Sequence, residues 1–441
     1  MKIKNLYLFT LCALAATAVL AAEGEGETPS TDEPEFNRVV ENYSNPDGMV
    51  DDVVENLYAT GGDAANYGVF YVTGENVIVK SDANFANRNG QAYLWVSEGC
   101  SVTFLPASGV WNENFYGDGS GHILLDQNAT MTIGSAEQAA DLNNHNEAVV
   151  NLESGSLLSV SGNFNKNGSA QVYLKEGSTL EIENELWING SSQVNVSGAS
   201  IKAGSSTCFA QEANAVLNLT NSTLETSSFA VGLWSSKAVD STINLASSTI
   251  YTSGDSTNWG TINVGATSRI VFGESGRALF NCGLLTIKSG QSLDISRVRE
   301  EGSDDSYLCN YGTITIEAAT DPEALAAISV QNFVDDGNAG VIIIDFSNVA
   351  GIQESREYAL ISANLLSIGS TEFKYTLDGI IFKDIELGSQ VEDGALSLEI
   401  TQEGAKIFYV YSIVPEPGTC AAIFGALALA LACCRRRAAR S

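Results

Sequence analysis

Histidine is almost missing from this 441-residue chain, which has only His122 and His145. A histidine-based triad or dyad would have to use one of these two. Both lie in corner-like stretches, Gly119-Ser120-Gly121-His122 and Asn143-Asn144-His145-Asn146, and read as structural. Of eight cysteines, Cys12 sits in an apolar leader, and Cys420, Cys433 and Cys434 lie near the other end. Only Cys100, Cys208, Cys282 and Cys309 remain in the body, without a CxxC pair. With so few histidines, zinc ligation is therefore not expected. No GxSxG, Walker A or helix-opening GxGxxG context occurs, and Gly-Gly-x-Gly-x-Asp calcium repeats are absent. The Asp118-Gly119-Ser120-Gly121 stretch is too short for an EF-hand loop. No catalytic residue, metal or cofactor is expected on these grounds. Basic residues are scarce too, 22 against 53 acidic ones, for a net charge of −31. Six of the 22 (Lys2, Lys4, Arg435, Arg436, Arg437 and Arg440) lie at the two ends, which leaves about −37 on the body. Such a surface repels nucleic acid.

The ends are patterned for export. Lys2 and Lys4 precede an apolar run over residues 6–20, and Val19-Leu20-Ala21 supplies small residues for cleavage at Ala21 or Ala22. The run is too short for an ordinary spanning helix, so residues 1–21 read as a signal peptide for the Sec route. At the other end, Val414, Pro415, Glu416 and Pro417 come first, then an apolar stretch over residues 420–434, then Arg435, Arg436 and Arg437. Fifteen apolar residues reach about 22 Å as a helix, short of a ~30 Å hydrocarbon core, and snorkelling arginines extend that reach. The arginines hold this end on the cytoplasmic side.

These three parts, in this order, resemble the sorting signal of PEP-CTERM proteins; the resemblance covers residues 413–441. It implies a C-terminal transmembrane helix and recognition by an exosortase, which cuts near the PEP motif after signal peptidase has acted. It also implies a transient inner-membrane anchor, followed by delivery to the outer surface or the extracellular space, in settings linked to exopolysaccharide.

Between the ends, the chain repeats itself. Two apolar residues alternate with polar ones, a Gly/Ser/Asn turn follows, and two more alternate: Leu94-x-Val96 then Val102-x-Phe104, and Val172-x-Leu174 then Leu180-x-Ile182. One equivalent position can be followed through Val72, Val96, Leu125, Leu152, Leu174, Val196, Leu219, Leu245, Val264, Ile287 and Ile316. The mean step is about 24 residues, and the pattern predicts a right-handed parallel β-helix of about 11 turns over residues 61–320. Asn258-Trp259-Gly260, Asn281-Cys282-Gly283 and Asn310-Tyr311-Gly312 each precede a strand. They predict stacked asparagines that share hydrogen bonds along the axis, with glycines at corners that need positive φ. Cys282 and Cys309 lie about one turn apart, though two residues out of register, open to either a diagonal disulfide in an oxidising compartment or two buried free thiols.

Outside this stretch, residues 22–60 read as an acidic linker and an N-terminal cap. The spacing of Met49, Val50, Val53, Val54 and Leu57 suits a short amphipathic helix there. Residues 321–412 read as a β-rich C-terminal cap. Lyases acting on acidic glycans need clustered Lys or Arg, whereas Lys80, Arg88, Lys166, Lys175, Lys202 and Arg269 are scattered. The sequence thus favours a non-enzymatic cell-surface or extracellular-matrix protein, acting by adhesion or through exopolysaccharide or surface glycans. The alternative is a β-helical polysaccharide lyase or hydrolase, for which a cluster of carboxylates, or of carboxylates with Lys or Arg, on one solenoid face would speak. Trp95, Trp111, Tyr116, Trp187 and Trp234 are the aromatic candidates for glycan contact.

Overall fold

The computed structural model describes residues 34–409 apart from 89–91, 114–120, 210–213, 233–239, 274, 299–304, 319–325, 336, 338–339, 349–355, 369, 386–395 and 402–403. The residues expected to form a signal peptide and a sorting motif, and the Arg cluster, lie outside the described residues, as does the apolar helix expected over 420–434. The unit described below is Phe36–Ser441.

Each coil of the chain lays down three short strands, one in each of three sheets of 16, 14 and 15 strands. Thr130–Ile133, Asp141–Asn144 and Val149–Leu152 form one such coil. Successive coils pair in parallel, as Thr130–Ile133 does with Leu157–Val160. Alternation dictates the burial: Met131 and Ile133 are buried while Thr130 and Thr132 face outward. Neither strand face could be hidden by one coil alone, so the core is a continuous stack of Leu, Ile and Val, with Phe70, Phe85 and Phe104 clustered edge-on near its N-terminal end. All described secondary structure is strand.

The position followed through the sequence is a true structural column. Val72 pairs with Val96, Val96 with Leu125, and so on through Ile287 with Ile316. It extends by one coil to Val53 and by two to Ile344 and Tyr375, past both boundaries drawn from sequence. The helix expected around Met49 to Leu57 is instead two strands, Val50–Val53 and Leu57–Thr60. Its apolar spacing served both periods, and β-branched valines paired to the next coil decide for strand. Past residue 320, Ile328–Val330, Asn332–Val334 and Val341–Asp345 lie in the same three sheets. Pairing reverses where Leu396–Thr401 and Gly404–Tyr409 form an antiparallel hairpin added to Arg356–Ser362.

In the coils that turn at 97–100, 126–129, 153–156 and 175–178, the turn from third to first sheet is four residues long, closed by bonds such as Ser156 N to Glu153 O (3.1 Å) and Ser178 N to Lys175 O (2.9 Å). Its third residue is left-handed, Gly155 at φ 73° and Gly177 at φ 74°, with Asn128 filling the same role at φ 56°. Inside the second-sheet corner runs an amide ladder. Asn45, Asn66, Asn87 and Asn112 each donate from Nδ2 to Oδ1 of the next, ending at Asn144, at 2.7 to 2.9 Å. Lys166 takes the next rung. Asn258, Asn281 and Asn310 rebuild the ladder further along, at 2.8 Å per step.

The glycines beside this second ladder do not adopt positive φ. They are required by close approach instead: a Cβ on Gly283 would lie 2.1 Å from the Gly260 carbonyl oxygen, and one on Gly312 would lie 2.2 Å from that of Gly283.

Candidate functional site

On the outer face of the first sheet, register aligns Thr132, Ser159, Glu181, Lys202, Glu225, Tyr251 and Val271 on successive strands. Neighbouring strands are about 4.8 Å apart, so this column spans roughly 29 Å along the axis. Beside it, the corner leading to the second sheet is built from small residues, among them Ser161, Gly204, Ser227 and Ser253, and a long trough results. Glycine is obligatory at its floor, since a Cβ on Gly204 would lie 2.2 Å from the Glu183 carbonyl oxygen. One depression of about 560 Å³ runs from Thr132 to Ser253. A second, of about 420 Å³, continues past Tyr251 to Val298, and the two share Glu225, Thr226 and Ser253.

The floor is held firmly. The buried Thr226 hydroxyl lies 3.0 Å from the Ser205 carbonyl and 2.8 Å from that of Ser228. Thr252 repeats the arrangement at Ser227 (3.1 Å) and Gly254 (2.9 Å). A β-branched residue with one hydroxyl thus closes each corner from inside while leaving the outside open.

Charge is placed along the trough. Lys202 Nζ donates to Glu181 Oε1 at 3.0 Å, and this hydrogen bond raises the lysine above its ordinary pKa. Both side chains are about half exposed, so the pair adds at most about 1 kcal/mol to stability. Glu183 and Glu225 are exposed. Tyr251, 41 % exposed, offers a ring beside the exposed Val298. Rigid hydroxyls, carboxylates and one aromatic face make a surface suited to an extended, hydroxyl-rich chain.

The sequence candidates fall elsewhere. Trp95 packs on Tyr71 (4.8 Å between centroids) on the third sheet, with its indole N–H on Asp126 at 2.8 Å. Trp111 and Trp187 lie on the second sheet, donating to Asn84 (3.2 Å) and Glu185 (2.8 Å). Tyr116 and Trp234 lie outside the described residues. His122 stacks on Tyr93 at 4.7 Å, and His145 meets Trp111 at 5.3 Å. Burial lowers the pKa of both histidines, as fits a packing role.

Cys282 and Cys309 are free thiols. Cys309 pairs with Phe280, and Asn281 with Asn310, so the two cysteines stand two residues out of register on opposite flanks of the asparagine rung. Burial raises the Cys282 thiol pKa, and that of Cys208 likewise.

The trough itself was missed from sequence. Its signal was present: Glu181, Lys202, Glu225 and Tyr251 each stand between two inward residues of an alternating strand, at matching positions of consecutive repeats.

Among the described residues, no group of three or more His, Cys, Asp or Glu is placed to hold a metal ion. Among them also, no helix is long and apolar enough to cross a membrane. No protein-family model matches the chain, and comparison with curated proteins and with solved structures gave no match.

Proposed function

We propose that this chain is an exported, non-enzymatic surface or extracellular-matrix protein that binds a glycan along the first-sheet trough. The observation that carries this reading is the continuous trough from Thr132 to Val298, with Tyr251 as a stacking face among Ser, Thr and carboxylate groups. A linear glycan is long, repetitive and hydroxyl-bearing, and a trough that repeats once per coil offers it repeated hydrogen-bond partners. Ring stacking on tyrosine supplies apolar contact in an otherwise polar site. Export rests on the sequence of the two ends: signal peptidase and an exosortase would process them, and the apolar tail would hold the chain briefly in the inner membrane.

The test of binding is affinity electrophoresis of the secreted chain in gels containing neutral, acidic or amine-bearing polysaccharides. Retardation lost in Tyr251→Ala supports the reading; equal mobility in every gel overturns it. Export is tested by the mass of the C-terminal peptide in hosts with and without the sorting protease. A tail left uncut in both would overturn the sorting half.

One arrangement favours the enzymatic alternative. Glu181 and Glu225 stand two strands apart with Lys202 between them, and inverting glycosidases also separate two carboxylates to admit water. Against it, Glu181 is already engaged by Lys202. New reducing ends released by the secreted chain, and abolished in Glu225→Gln, would establish the enzyme instead.

A further inference from the structure

On the glycan-binding reading just given, we infer that the trough selects amine-bearing glycans and rejects polyuronates. Among the described residues, four charged side chains line it: Glu181, Glu183, Lys202 and Glu225. The single cation is committed to Glu181 at 3.0 Å. Among the described residues, neither Glu183 nor Glu225 enters an ion pair; Lys202, next to Glu225 across the strands, feels its charge as well as that of Glu181, so the trough sets three carboxylates against one ammonium. They sit within a chain of net charge −31, whose field adds to theirs.

A polyuronate brings a carboxylate with every sugar. Laid in this trough it would meet like charge at Glu183 and Glu225 and find its one complementary group, Lys202, already neutralised. A chain of amino sugars with free amines reverses each term. Its ammonium groups can donate to Glu183 and Glu225, while its rings retain the hydroxyl and Tyr251 contacts open to any glycan. A fully N-acetylated chain keeps the sugar backbone and replaces each ammonium by a neutral acetamide, which makes it the uncharged control. Specificity of this kind arises as much from repulsion of the wrong partner as from attraction of the right one.

The experiment is a titration of the full secreted chain with three oligosaccharides of equal length, at a pH where free amines are protonated: de-N-acetylated amino-sugar, its N-acetylated form, and polyuronate. The amine form should bind at least about tenfold tighter than the N-acetylated one, and the advantage should shrink as salt is raised. Glu183→Gln and Glu225→Gln, both exposed and thus tolerant of the change, should each weaken the amine form about two- to fivefold more than they weaken the N-acetylated form. Polyuronate binding equal to or tighter than the amine form would overturn the inference while leaving a glycan trough intact. Absence of binding by all three would instead remove the glycan reading on which it stands.

Discussion

Asn112 and Asn144, 32 residues apart in sequence, are joined by a 2.8 Å bond from the Nδ2 of the first to the Oδ1 of the second, in the buried interior. Asn112 also accepts from Asn87 at 2.9 Å and donates to the Val149 carbonyl at 3.1 Å. Asn112 therefore ties its own coil to both neighbours. Asn112→Ala would orphan Asn144 Oδ1 and take one partner each from Asn87 Nδ2 and the Val149 carbonyl, which keeps its place in the sheet ladder. At about 1–3 kcal/mol for an unsatisfied buried group, the loss should be about 1–3 kcal/mol. Asn218 forms a similar chain on the outer face of the third sheet, at 2.7 Å to both Asn195 and Asn244. Water can replace its partners, so Asn218→Ala should cost under about 1 kcal/mol. Urea denaturation of both variants decides the point: equal midpoints would mean that the interior ladder adds nothing beyond the exterior one.

Gly283 makes a sharper case. A methyl group there would meet the Gly260 carbonyl oxygen at 2.1 Å and the Trp259 carbonyl carbon at 2.7 Å, and backbone cannot rotate away as a side chain can. Gly283→Ala should destabilise by about 3 kcal/mol or more. Gly290 is left-handed, but nothing lies within 4 Å of its added Cβ, so Gly290→Ala carries only the conformational cost, about 1–2 kcal/mol. Thermal melts that rank Gly290→Ala as the more damaging would refute the close-approach account.

The contrast between these glycines shows what a sequence can reveal here. Alternation at Val96, Leu125 and Leu152 carries the register of the sheets openly, because the inward period of two is written in apolar residues. The second asparagine ladder was legible for a similar reason: Asn258, Asn281 and Asn310 keep a fixed offset to their strands. The reason for the glycines was not legible, since a residue without Cβ serves positive φ and close approach equally well. The first coil was hidden because Val50, Val53 and Leu57 fit a helix as well as a strand until the next coil is there to pair. The trough escaped notice because it is a property of outward residues on seven coils read side by side.

The thiols give a chemical test of the same register. Cys100, Cys208, Cys282 and Cys309 are all free. Burial raises the first three thiols above their ordinary pKa, so little thiolate exists at neutral pH. Alkylation after unfolding without reductant should label all four, and slow labelling is expected in the folded state. A tryptic peptide pair linking Cys282 to Cys309 would show that the two coils can shift by the two residues that now separate them.

Lys166 occupies a rung of the asparagine ladder and does the work of an amide. Its Nζ donates to the Ala170 carbonyl of its own coil at 2.8 Å and to the Gln193 carbonyl of the next. Asn87 likewise reaches the Ala92 and His122 carbonyls. The cost is a fully buried amine, and burial holds its pKa well below the ordinary 10.5. The unfolded chain, at the ordinary value, binds a proton that the folded chain has released, throughout the window between the folded pKa and 10.5. Across that window stability rises with pH, by up to about 1.4 kcal/mol per pH unit; below the folded pKa the burial penalty is present in full. Lys166→Met removes this dependence and keeps the length of the side chain. Urea midpoints measured from pH 6 to pH 10 should therefore show the wild type gaining on Lys166→Met as pH rises, while tyrosine and cysteine titrations common to both cancel in the difference. Parallel curves would mean that the ammonium form is held as well inside the ladder as in water, with the two carbonyls solvating it fully.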